Sequence, residues 1–165
     1  MEELNDPALG GGIILLVLRF ASEFMNRAVV FIVKRDEIAG LGQFGINDKE
    51  GLADSKIRNL RIPRSADSIF SQVIESQLVL KTMPDDSDWN KYLLSQLAGG
   101  FPAEVFLGPI ISEGKVVAIL YGDNLPETTP IGDTDALEIF LSQAGQAMEK
   151  ALLLRRLKEK SSEET

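Results

Sequence analysis

Phe106-Leu107-Gly108-Pro109-Ile110-Ile111-Ser112-Glu113-Gly114-Lys115-Val116-Val117-Ala118-Ile119-Leu120-Tyr121-Gly122-Asp123 is two apolar runs around a tight-turn signal. The runs read as strands over 103–111 and 116–121. Gly114 supplies the positive φ that a short hairpin turn needs. Asp123-Asn124-Leu125-Pro126 ends the second strand. Asp133 then suits an N-cap, and the spacing predicts one long helix over 133–160. Leu137, Phe140, Leu141, Ala144, Met148, Ala151 and Leu152 recur there at intervals of three and four. Ile139, Ala147 and Leu154 widen that stripe beyond what one sheet face covers.

Upstream, Ala28-Val29-Val30-Phe31-Ile32-Val33 is a β-branched and aromatic run that suits a central strand. A polar turn at 34–37 leads to a return strand over 38–46. Its glycines, Gly40, Gly42 and Gly45, point to a bulge or a close backbone approach. Residues 47–56 read as a polar loop and 57–62 as a short strand stopped by Pro63. Asp67 caps a helix over 68–76, 78–80 is extended, and 89–97 is a second short helix closed by Gly99 and Gly100. Residues 7–25 read as an amphipathic helix, starting late because Gly10-Gly11-Gly12 costs about 1 kcal/mol per glycine. The expected fold is α+β: two hairpins in one antiparallel sheet, terminal helices on one face and short helices on the other. The 165 residues are expected to form a single domain, with 1–8 as linker and 161–165 as a frayed tail.

Composition excludes whole classes of chemistry. The chain has no cysteine and no histidine. That removes thiolate nucleophiles, imidazole bases, Ser-His-Asp triads and Cys- or His-ligated metals. The net charge of −8 argues against nucleic acid and anionic membrane partners. The longest apolar run, Ile13 to Leu18, is far short of the roughly 20 residues that span a bilayer. The acidic opening Met1-Glu2-Glu3-Leu4 lacks the basic start of a signal peptide. No cofactor and no metal are expected, and a cytoplasmic location is.

The element order and three segments resemble a GAF domain. The first is Leu18-Arg19-Phe20-Ala21-Ser22-Glu23-Phe24-Met25-Asn26-Arg27-Ala28-Val29-Val30-Phe31-Ile32-Val33, a helix running into the first strand. The second is the hairpin from Phe106 to Asp123. The third is Leu137-Glu138-Ile139-Phe140-Leu141-Ser142-Gln143-Ala144-Gly145-Gln146-Ala147-Met148-Glu149, similar to the family's final helix. Gly40-Leu41-Gly42-Gln43-Phe44-Gly45 and Tyr121-Gly122-Asp123-Asn124-Leu125-Pro126 look like modules of bacterial response-regulator-type proteins. The resemblance implies a regulatory or dimerisation module in signal transduction, not an enzyme. Its alternative is a sensor holding a nucleotide or metabolite between the sheet and the variable helices. The bilin, haem, iron and methionine-sulfoxide-reducing subtypes of the fold need Cys or His, which are absent. A PAS-like or roadblock-like sheet shares the helix-flanked antiparallel layout.

For a ligand pocket the candidates are Arg58 and Arg61 on the short strand, Trp89 and Tyr92 on the second short helix, and Tyr121. Arginines pair bidentately with phosphate or carboxylate. Arg58, Arg61 and Arg64 also suit a solvated edge strand that discourages pairing, and Trp89 also suits an anchor for its helix. Asp85, Asp86 and Asp88 lack the glycine and distal glutamate of a calcium loop. Gly40-Leu41-Gly42-Gln43-Phe44-Gly45 matches a Gly-x-Gly-x-x-Gly string inside a strand, so no dinucleotide site follows. The surplus apolar positions are Ile14, Leu18 and Met25 on the first helix and Leu141, Gly145, Leu152 and Leu154 on the last. They are expected to pair in a homodimer that couples to neighbouring signalling domains.

Overall fold

The computed structural model describes residues 11–47 and 51–163. The first helix, α1, spans Gly11–Ala21, and β1 (Arg27–Val33) and β2 (Glu37–Phe44) form the first hairpin. Then come α2 (Ala53–Asn59), β3 (Arg61–Pro63), α3 (Ile69–Ser76), β4 (Leu80–Thr82) and α4 (Asp88–Gln96). The second hairpin is β5 (Val105–Ser112) and β6 (Lys115–Asp123), and α5 (Asp135–Glu163) closes the chain. All six strands join one sheet in the order β3-β2-β1-β6-β5-β4. The two hairpins therefore meet at β1 and β6, the central antiparallel pair, as the apolar runs imply. The chain is α+β with helices on both faces of an antiparallel sheet.

Both faces are buried, which explains why the central strands are apolar throughout rather than alternating. Ala28, Val30, Leu120 and Phe106 pack under α1 and α5 together with Val17, Leu137 and Leu141. Val29, Phe31, Leu107 and Tyr121 pack under the short helices together with Ile57, Phe70, Val73, Leu93 and Leu97. The β5–β6 turn places Glu113 at φ 54° and Gly114 at φ 77°, the two left-handed residues of a tight hairpin. The β1–β2 register shifts between Val30 and Phe31, opposite Gly42 and Gly40, so the glycines of β2 mark a bulge.

Glycine also sets how closely α5 docks. A Cβ at Gly145 would lie 2.3 Å from the Ile111 carbonyl oxygen, and one at Gly108 would lie 2.3 Å from Leu141 Cδ1. Helix backbone and β5 therefore approach more closely than any other residue type allows.

Several expectations change. Residues 53–59 are helical, so 57–62 is not one strand and only Arg61–Pro63 pairs with β2. Ile57 and Leu60, three apart, both turn inward at a helical interval. Among the described residues Gly11 and Gly12 are already helical, so the first helix does not wait until after the glycines, and it ends at Ala21, short of residue 25. Ser68, not Asp67, caps α3, accepting from the Phe70 N–H. Residues 161–163, expected to fray, continue α5, while the expected linker 1–8 lies outside the described residues.

Candidate functional site

Arg27 opens β1 and Asp123 closes β6, and the strand register sets them opposite each other. Arg27 is 5% exposed and Asp123 is fully buried. The guanidinium donates from Nε to Asp123 Oδ1 at 2.8 Å and from Nη2 to Oδ2 at 2.7 Å. Its Nη1 donates to the Leu97 carbonyl just past α4. Asp123 also accepts from the Tyr121 hydroxyl at 2.6 Å and from the Leu125 N–H at 3.1 Å. Asp123 thus meets charged and neutral donors on both carboxylate oxygens, as a buried carboxylate requires. Burial disfavours the charged guanidinium, but hydrogen bonding and charge from Asp123 outweigh it and raise Arg27 above its ordinary value. Tyr121 is pushed well above the usual phenol range, first by burial and then by the Asp123 charge. Within the network Arg27 stays cationic and Tyr121 stays a neutral phenol. The network ties together β1, β6, the end of α4 and the segment leading to α5.

Beside it lies an open cleft of about 340 Å³, lined by Arg27, Gly45, Asn47, Ala98, Gly99, Gly100, Leu125 and Pro126. Ala98, Gly99 and Gly100 all sit at positive φ, from 70° to 87°. That stretch presents backbone rather than bulky side chains to the opening.

The sequence-predicted pocket residues do not converge. Arg58 sits on α2, donates to the Asp54 carbonyl and borders a separate 190 Å³ cavity with Leu15, Leu18 and Gln43. Arg61 is tied to the Arg58 and Leu60 carbonyls and to Glu37 across the edge of the sheet. Arg64 donates to the Lys34 carbonyl. Trp89 packs half-buried against the core, edge-on to the exposed Tyr92 at 5.7 Å. Tyr121 is fully buried and held by Asp123. The space between the sheet and α2–α4, where the alternative sensor reading puts a ligand, is filled by Phe31, Phe70, Leu93, Leu97 and Tyr121.

The expected dimer surface also changes. Ile14, Leu18, Met25 and Leu141 are buried in the domain's own core, at 1%, 7%, 3% and 1% exposure. Gly145 is pressed on Ile111. These residues cover the sheet, because α1 and α5 lie side by side on it and share the layer. Leu152 is half-buried, and Leu154 is exposed as expected. Leu15 and Leu16 of α1 and Ile139, Leu153, Leu154 and Leu157 of α5 carry the outward apolar surface instead. Phe20 stacks on Phe140 at 4.7 Å and joins the two helices.

Sequence reading missed Arg27 and treated Asp123 as a turn residue. The signal was present: a lone cation just before one all-apolar strand and a lone anion just after another. Pairing those two strands antiparallel brings the charges together.

Among the described residues, no group of three Asp or Glu side chains is placed to hold a metal ion. No helix there is long and apolar enough to cross a membrane.

No protein-family model matches the sequence, and no curated protein matches it significantly. Solved structures do match. A GAF domain/HD domain protein from Geobacter sulfurreducens superposes with TM-score 0.70 at 17% identity, over 91% of this chain and 96% of that one. The GAF domain of a phosphoenolpyruvate-protein phosphotransferase from Coxiella burnetii gives 0.64 at 19%, over 96% and 91%. The GAF domain of a two-component sensor histidine kinase from Bacillus halodurans gives 0.60 at 15%, over 90% and 96%. The fold of this chain is the GAF fold.

Proposed function

We propose that this domain is a non-catalytic regulatory module of a bacterial, cytoplasmic signalling protein of response-regulator type. It works as a homodimer through its terminal helices and couples there to neighbouring domains. The observation that carries the reading is the outward face of α5. Beyond Met148 the helix leaves its buried stripe, yet Leu153, Leu154 and Leu157 follow, at 48%, 57% and 64% exposure. With Ile139 and with Leu15 and Leu16 of α1, they form apolar surface that a second copy would cover in a closed two-fold interface. The GAF fold supports a signalling role, since one neighbour belongs to a sensor histidine kinase.

Sedimentation of the wild type and of Leu154→Glu/Leu157→Glu tests it. The wild type is expected to be dimeric, and the double variant folded and monomeric. A wild type that stays monomeric at high micromolar concentration rejects the dimer.

A further inference from the structure

We propose that the far half of α5 is a strap that docks and releases at the β5–β6 turn, with Glu113 and Arg156 as its latch. Arg156 donates from Nη1 to Oε1 and from Nη2 to Oε2 of Glu113, a two-pronged pair. The turn itself does not need a glutamate. Its left-handed positions favour Gly, Asn or Asp, yet Glu113 holds one at φ 54° and sends its side chain across to α5. Behind the turn, Gln77 at the end of α3 donates from Nε2 to the Gly114 carbonyl at 2.8 Å. The turn is thus fastened to the opposite face of the sheet and offers α5 a fixed post.

The strap is held lightly. Past Met148 the apolar burial of α5 falls to the half-buried Ala151 and Leu152. The latch is open to water, with 58% of the Arg156 side chain and 38% of the Glu113 side chain exposed, so it contributes little and salt weakens it. One group opposes docking. Ser112, the last residue of β5, is buried, and its hydroxyl has no hydrogen-bond partner among the described residues. Ile110 packs on the α1–α5 side and Ile111 on the other, so alternation turns Ser112 toward α5. An unpartnered buried hydroxyl forfeits the bonds that water would give it, and release of α5 restores them. A weak latch set against an orphaned hydroxyl leaves the docked and released positions close in free energy. The strap needs only one chain. Its bearing on assembly rests on the proposed dimer, because Leu153 and Leu157 flank Arg156 and docking fixes where they face.

The experiment measures the distance between spin labels at Arg35→Cys and Lys158→Cys, both exposed positions, in a chain that has no other cysteine. Dilution with unlabelled protein restricts the reading to one chain, so the outcome does not depend on the dimer that sedimentation tests. Two populations are expected at low salt, the docked one at the distance of the structure. Glu113→Gln should lower the docked-to-released ratio about two- to fivefold, the scale of an exposed pair. Salt at about 1 M should do the same to the parent sequence and add nothing to Glu113→Gln. Glu113→Lys with Arg156→Glu should restore the original ratio. Ser112→Ala should shift the other way, raising the ratio at least about fivefold. One population that neither salt nor Glu113→Gln alters would overturn the proposal. So would Ser112→Ala and Glu113→Gln moving the ratio in the same direction.

Discussion

The two faces of the sheet are covered in different ways. Under α1 and α5 the contact is close and apolar, and its fit depends on missing side chains at Gly108 and Gly145. Under α2, α3 and α4 the helices are seven to nine residues long, too short to hold themselves. They are held partly by polar ties. Asn90 accepts from the Ile69 N–H at 3.0 Å and donates to Asp85 at 2.8 Å, which joins α4 to the start of α3. Arg27 holds the Leu97 carbonyl. The α1–α5 face is fixed by shape, whereas the other adds hydrogen bonds to an aromatic core and to one close glycine contact of its own, Gly40 on the Ile57 carbonyl. A shape-fixed face fails by steric conflict, whereas a tied face fails when one buried group loses its partner.

The largest effect is expected at the tied face. Asp123→Ala strands the buried Arg27 charge and frees the Tyr121 hydroxyl and the Leu125 N–H. The cost of breaking such a buried pair is about 3–5 kcal/mol. Urea unfolding measures it, and amide exchange should show the α4 end opening first. A loss under about 1 kcal/mol would show that the tie is dispensable. Next comes the shape-fixed face. Gly145→Val sets side-chain atoms against the Ile111 backbone, where even a Cβ is too close. Overpacking of this kind costs about 1–3 kcal/mol and occasionally more. Exchange should then rise along α5 and β5 while α4 stays protected. If both variants open the same amides first, the two faces do not fail independently.

The smallest effect concerns pH. Tyr121 is held protonated in the folded state and ionises near its ordinary 10.0 once unfolded. Its contribution is therefore complete below about pH 10 and is lost as pH rises above it, at up to about 1.4 kcal/mol per pH unit. Tyr121→Phe should flatten the alkaline side of the stability curve relative to wild type. An unchanged slope would place the alkaline loss elsewhere.

The two hairpins were legible because each joins consecutive strands through a local turn signal, Glu113-Gly114 for β5 and β6, and the apolar runs of β1 and β6 marked the central pair. The α2 segment was not, because a short amphipathic turn such as Ala53–Asn59 and a partly alternating strand share Ile57 and Leu60. The division of labour along α5 was not legible either. Leu141 and Leu154 are both leucines on one periodic stripe. Which of them meets β5 depends on Gly145 and Gly108, two residues that carry no hydrophobic signal. The candidate cleft was hidden for a related reason. Its walls come from four separate parts of the chain, and its charged group lies at the edge of a run that reads as core.

The close seat of Gly145 on Ile111 has a mechanical consequence. It seats α5 on β5 about a third of the way along the helix, beside the buried Leu141, Ala144 and Met148, so the seat acts as a fulcrum for the part beyond it. From Gly145 to Glu163 the helix continues for about 27 Å, and a tilt of about 5° at the fulcrum would carry its end about 2 Å sideways. Sliding along its axis is blocked, because the Gly145 notch fits one place on β5. Whatever lies at the far end of this helix would feel a swing rather than a piston stroke.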